Sequence, residues 1–120
     1  MPSILVVDDD DTLRSIVVRM FAFAGYEVSE AGNGLEALDL LGQDAPDVIL
    51  SDLEMPELDG FSLYRQLRAR GCQIPFIGMS GRLCEADGGE SRFDAFLPKP
   101  FKMQTLIDTV EGVLTAQPAF

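Results

Sequence analysis

The sequence predicts an α/β fold: a doubly wound, five-stranded parallel sheet of order 2-1-3-4-5 with helices on both faces. Three observations predict it. Short, bounded apolar runs of the kind buried strands require alternate from end to end with segments whose apolar residues recur at helical spacing. That alternation implies parallel strands joined by right-handed crossovers. The second and fifth runs are the least apolar, which assigns them to the edges and yields the order. Finally, polar residues follow the runs at matching places. Asp8 and Asp9 follow Ile4-Leu5-Val6-Val7, Asp52 follows Val48-Ile49-Leu50-Ser51, Ser80 follows Phe76-Ile77-Gly78-Met79, and Lys99 follows the run from Phe93 to Leu97.

Taken in order, residues 4–7 read as a buried strand. Asp11 reads as the N-cap of a helix whose face is Leu13, Ile16, Val17, Met20 and Phe21, and Gly25 stops it. Residues 26–30 alternate apolar and polar, as an edge strand with one wet face does. Gly32-Asn33-Gly34 is a turn signal. Leu35, Leu38 and Leu41 mark a second helix ending near Gly42. Pro46 precedes the strand at 48–50. A loop over 55–60, with Pro56 and Gly60, leads into a third helix carried by Leu63, Tyr64 and Leu67 and stopped by Gly71. Pro75 precedes the fourth strand. The stretch 81–91 contains Gly81, Gly88 and Gly89 and little periodicity. Glycine costs roughly 1 kcal/mol per helical position relative to alanine, so a short, frayed or mobile fourth helix is expected there. Met103, Leu106, Ile107, Val110 and Leu114 form a last amphipathic helix, with Pro118 just past it.

A chain of 120 residues with 47% hydrophobic residues is expected to form one domain, 1–120, with a real core. A net charge of −11 without a basic cluster argues against nucleic acid as a direct partner. Arg65, Arg68 and Arg70 fall on one helix and read as a solvated face. Cys72 and Cys84 have no metal-binding spacing and no histidine to accompany them. They read as inert packing thiols, consistent with a reducing cytoplasm. No run approaches the ~18 apolar residues of a membrane span, and, with the first strand starting at once, no targeting segment is expected.

In an open α/β sheet the carboxyl ends of the strands share one edge, where ligands bind. Asp8, Asp9, Asp52, Ser80 and Lys99 would therefore meet in one pocket. Clustered carboxylates repel one another unless a cation sits among them. Mg²⁺ suits hard oxygen ligands, whereas Zn²⁺ would want His or Cys. A carboxylate can also attack phosphorus. In-line transfer then needs positive charge and hydrogen bonds around the equatorial oxygens, which Lys99, a metal ion and Ser80 would supply. Taken singly, each residue has a plainer reading: a solvated acidic loop, a surface lysine, a turn serine, a loop cap. Five complementary groups at strand ends favour a site for a divalent cation and a phosphoryl group.

At this point the chain resembles the receiver domains of bacterial two-component response regulators. The matching segments are Ile4-Leu5-Val6-Val7-Asp8-Asp9-Asp10, Ala24-Gly25-Tyr26-Glu27-Val28 and Ala31-Gly32-Asn33-Gly34-Leu35-Glu36-Ala37-Leu38. They continue with Asp47-Val48-Ile49-Leu50-Ser51-Asp52-Leu53-Glu54-Met55-Pro56, Asp59-Gly60 and Phe96-Leu97-Pro98-Lys99-Pro100-Phe101. The resemblance implies a flavodoxin-like fold and a role at each position. Asp52 would be the phosphoacceptor, served by a sensor histidine kinase or a histidine phosphotransfer protein. Asp9 and Asp52 would ligate Mg²⁺ directly, Asp8 through metal-bound water, and Glu54 through its backbone carbonyl. Ser80 would be the switch hydroxyl, Lys99 the phosphate-binding lysine and Phe96 the switch aromatic, with a plain core aromatic as the alternative for Phe96. The Lys99-Pro100 bond would be cis. Output would go to an unidentified protein target, with no direct nucleic-acid or membrane contact.

The sequence departs from the family in three places. The Ser80-to-Lys99 interval is a few residues short. The small Ala-Gly segment before the last strand is missing, with Arg92-Phe93 near its place. Gly81 replaces the common alanine, which is loosely similar to a subset of receivers with a disordered fourth helix. Glu54 and Arg82, each two positions past a site residue, suggest a charge pair over the pocket that slows loss of the phosphoryl group. Two functional alternatives remain open on the residues: an aspartyl-phosphate phosphohydrolase, and a degenerate receiver that binds partners without phosphorylation. On the leading reading the domain is not an enzyme, though it would promote its own phosphorylation and autodephosphorylation.

Overall fold

A computed structural model describes residues 2–55, 57–81 and 93–115. Its strands are β1(Ser3–Val7), β2(Glu27–Ala31), β3(Val48–Asp52), β4(Phe76–Ser80) and β5(Ala95–Pro98). Its helices are α1(Asp11–Phe23), α2(Gly34–Leu41), α3(Gly60–Ala69) and, at the carboxyl end, α4(Met103–Thr115). All strand pairs are parallel and the order is β2-β1-β3-β4-β5, as expected from the sequence. The glycine-rich segment with its expected short helix lies, from 82 onward, outside the described residues, as do Cys84 and Pro118.

Alternation along the central strands builds two cores. Ile4, Val6, Val48, Leu50, Ile77 and Met79 face one side, where Val17 and Phe21 of α1 and Leu106 and Val110 of α4 cover them. Leu5, Val7, Ile49 and Phe76 face the other, against Ala37 of α2 and Leu63, Tyr64 and Leu67 of α3. Each fully buried side chain of this size contributes about 1.5–3 kcal/mol of transfer free energy. β3 and β4 are buried along their whole lengths, whereas β2 buries only Ala31 completely. This difference explains why the least apolar strands sit outside.

Side-chain caps set the helix starts. Asn33 and Asp59 accept from the N–H groups of Glu36 and Ser62 at 2.9 and 2.8 Å. Such caps are each worth about 1 kcal/mol. For α1 the cap is Asp10 rather than the expected Asp11. Asp10 is still extended, and its carboxylate reaches the Leu13 N–H at 3.1 Å, so Asp11 is already inside the helix. The second strand likewise begins at Glu27, one residue late, because the Tyr26 N–H is taken by the Phe21 carbonyl at 3.0 Å. Ile16, expected on the buried face of α1, is 44% exposed.

The expectation that Arg65, Arg68 and Arg70 form one solvated face is also corrected. Arg65 and Arg70 are exposed, but Arg68 is partly buried. Its Nη1 donates to the Cys72 and Ile74 carbonyls at 3.0 Å each, and its guanidinium lies 4.7 Å from the Tyr64 ring centroid. Arg68 thus supplies donors to the carbonyls that follow the helix. Cys72, as expected, packs against the α2–α3 core. No described helix is long and apolar enough to cross a membrane.

Candidate functional site

Strand register aligns the site residues. Val7 pairs with Ser51, Asp52 with Met79, and Ser80 with Pro98. Each successive strand therefore ends beside the residue the chemistry requires, and Asp8, Asp52, Ser80 and Lys99 form a row along the carboxyl rim. Backbone bonds fix the row. The Asp8 N–H donates to the Ala31 carbonyl at 3.1 Å, Leu53 N–H to the Met79 carbonyl at 2.8 Å, and Lys99 N–H to the Ser80 carbonyl at 2.7 Å. The Lys99-Pro100 peptide is cis. Gly60 lies so close under the loop that a Cβ there would collide with the Asp52 carbonyl oxygen.

Asp8, Asp52 and Ser80 are buried, while Asp9 sits exposed at the rim. The Lys99 Nζ lies 3.3 Å from Asp8 Oδ2 and 3.4 Å from Asp52 Oδ2. Asp8 Oδ1 accepts from the Asp10 N–H at 2.9 Å, and Asp52 Oδ1 accepts from the Glu54 N–H at 3.3 Å. Burial, reinforced by Asp8 and opposed by Lys99, pushes the Asp52 carboxyl up to about 7. Burial acts to lower the Lys99 ammonium, but Asp8 and Asp52 together outweigh it and raise its pKa.

One carboxylate oxygen from each of Asp8, Asp9 and Asp52 lies within 4.8 Å of the other two. These are hard oxygen donors without nitrogen or sulfur among them, the donor set that suits Mg²⁺. Three carboxylates gather here against the single Lys99 ammonium, and such a cluster favours a cation among its members, so the residues fit a divalent cation.

The structure therefore brings together Asp8, Asp9, Asp52, Ser80 and Lys99. Glu54 joins them in two ways: its N–H bonds Asp52, and its Oε2 accepts from the Ser80 hydroxyl at 2.6 Å. The suggested Glu54–Arg82 pair involves a residue outside the described ones. Phe96 is half-buried against the α2–α3 core.

Sequence reasoning missed Arg14. Its Nη1 donates to the Asp8 carbonyl at 2.6 Å, while its other nitrogens meet Glu30 at 2.9 Å and Asp11 at 2.8 Å. Arg14 so ties the acidic loop to α1 and β2. The one sequence signal for it was the three-residue spacing from Asp11, which places both on one helix face.

Comparison with known proteins follows the same lines. Residues 4–111 match the family model described as response regulator receiver domain. The response regulator MprA of Mycobacterium avium is 39% identical over 114 residues, covering 92% of this chain and 50% of that protein. The chain thus spans about half the length of the curated relatives it matches. The receiver domain of Francisella response regulator 1452 superposes with a TM-score of 0.88 at 34% identity, covering 96% of this chain and 98% of that one. Vibrio cholerae chemotaxis protein CheY4 gives 0.86 at 31% identity, covering 94% and 98%. The receiver domain of a signal transduction histidine kinase from Syntrophus aciditrophicus gives 0.87 at 30%, covering 100% and 97%.

Proposed function

This chain belongs to the response regulator receiver domain family, and from that premise we propose a phosphorylation-activated switch in which Asp52 accepts the phosphoryl group. One observation carries the assignment: the Lys99 ammonium stands 3.4 Å from the Asp52 carboxylate in a pocket that also gathers Asp8 and Asp9. The nucleophile, the cation that meets the developing charge and the acids that suit a metal are thereby within reach of one phosphorus atom.

In the proposed transfer, an Asp52 carboxylate oxygen attacks phosphorus and forms the P–O bond of an acyl phosphate. The bond from phosphorus to the donor breaks, and the donor leaves with its electron pair. Lys99 meets one equatorial oxygen and Ser80 donates a hydrogen bond to another. Asp8, Asp9, Asp52 and the Glu54 carbonyl would hold Mg²⁺, which supplies charge neutralisation for the carboxylates and the phosphoryl oxygens. Water attack on the same phosphorus returns free Asp52 and inorganic phosphate, so the domain promotes both its charging and its discharge while serving as a signal. Phosphoryl binding by Ser80 and Lys99 biases the loops after β3 and β4, and with them the protein's contacts.

The proposed donor is a sensor histidine kinase or a histidine phosphotransfer protein in the cytoplasm, and the proposed output is a protein target. The proposed domain covers 1–120. Incubation with acetyl phosphate and Mg²⁺, followed by intact-mass measurement, tests the assignment. A single phosphoryl addition is expected on the wild type and none on Asp52→Asn. An addition that survives in Asp52→Asn, or no addition to the wild type from either acetyl phosphate or a phosphorylated phosphotransfer protein, overturns it.

A further inference from the structure

We propose that Glu54 is a positioning residue that holds the switch in its resting state by occupying the Ser80 hydroxyl; this rests on the reading of Asp52 as phosphoacceptor. Serine has a single proton to donate. Here it goes to Glu54 Oε2 at 2.6 Å, within the short range of charge-assisted O–H···O⁻ bonds. A phosphoryl oxygen on Asp52 requires that same proton, so the two acceptors compete for it.

The surroundings leave the hydroxyl little other freedom. Ser80 is 1% exposed, and its carbonyl is held by the Lys99 N–H at 2.7 Å. Its backbone is fixed in β4, so exchanging acceptors means rotating the side chain. Glu54 is anchored as well, since its own N–H donates to Asp52 Oδ1 at 3.3 Å. One residue thus contacts both the phosphoacceptor and the switch hydroxyl. An arriving phosphoryl group that takes the Ser80 proton must therefore displace a bond already made.

This device differs from a charge pair that shields the acyl phosphate from water. A shield changes how long phosphate stays, whereas competition for the Ser80 proton changes how tightly a phosphoryl group is taken up. Beryllofluoride with Mg²⁺ separates them, because it mimics the bound phosphoryl group and is not hydrolysed. Its Kd is measured by calorimetry on the full chain for wild type, Glu54→Ala, Glu54→Gln, Ser80→Ala and Glu54→Ala combined with Ser80→Ala.

Glu54→Ala is expected to tighten binding about tenfold, equivalent to about 1.4 kcal/mol. Glu54→Gln, which keeps a neutral acceptor, should fall between Ala and wild type. On the Ser80→Ala background, Glu54→Ala should change Kd by less than about twofold. Unchanged or weaker binding by Glu54→Ala overturns the proposal. So does an equal gain on the Ser80→Ala background, which would mean that Glu54 merely repels the anion. Melting curves verify folding, and the Gln variant carries the test if the Ala variant does not fold. A wild type that takes up no beryllofluoride overturns the Asp52 assignment itself.

Discussion

The two ends of the sheet use aspartate in opposite ways. At the amino end Asp47 accepts from the Ser3 N–H at 2.8 Å, and Asp94 accepts from the Phe76 N–H at 2.8 Å while facing Arg68 at 3.6 Å. Both carboxylates are exposed, and each ties the start of one strand to its neighbour. At the carboxyl end Asp8 and Asp52 are buried side by side, with one lysine between them. The amino-end acids complete hydrogen bonds that the sheet leaves open. The carboxyl-end acids gather charge that the fold alone does not neutralise. The same residue type thus stabilises one rim and burdens the other, and the burdened rim is where a phosphoryl group is to be received.

The sharpest way to break this comparison is to add the missing charge. Mg²⁺ at about 100 times its Kd should stabilise the wild type by about 2.7 kcal/mol. The gain should fall well below that in Asp52→Asn and in Asp8→Asn, as read from urea midpoints. Equal gains in all three proteins would detach the metal from this pocket. At the other rim, Asp94→Ala should lower stability by about 2 kcal/mol, because it strips the partner from the N–H of fully buried Phe76. A loss under about 0.5 kcal/mol would show that water replaces the carboxylate.

A change of opposite sign is expected for Asp52→Asn without metal. The Asp52 carboxyl is raised from 3.8 to about 7. Below 3.8 it is protonated in folded and unfolded chains alike. As the pH rises, the unfolded chain ionises first, so the wild type loses stability across that window and no further above it. Asp52→Asn should therefore gain over wild type by at least about 1 kcal/mol at pH 8, roughly 4 °C or more in Tm, and by far less at pH 4. A variant less stable than wild type at pH 8 would reverse the comparison. The smallest effect is expected at Asp47, where exposure lets water substitute for the carboxylate. Asp47→Ala should cost about 0.5 kcal/mol in the same urea titration.

Some of this was legible because its signals are local. Ile4 to Val7 and Val48 to Leu50 announce buried strands by composition alone, and the polar residue after each run marks a strand end whatever lies beside it. The boundaries shifted by a residue where a backbone bond settled them, as at Asp10 and Tyr26. Arg68 was misread as solvated because its partners are carbonyls beyond its own helix, which no helical spacing encodes. Arg14 was missed for a similar reason: its contact with the acidic loop is to the carbonyl of Asp8, and a carbonyl is identical in every residue.

The sequence by itself determined the layers, the strand order and the set of residues at the rim, since side-chain period and burial are properties of short segments. Only the tertiary structure decided which groups touch. The register of β3 against β4 pairs Asp52 with Met79, so Ser80 follows one residue further along the rim, and the turn after Asp52 then sends the Glu54 carboxylate back to the Ser80 hydroxyl. Contacts of that kind depend on how separate strands and loops meet in space, where an ångström decides whether a proton has one acceptor or another.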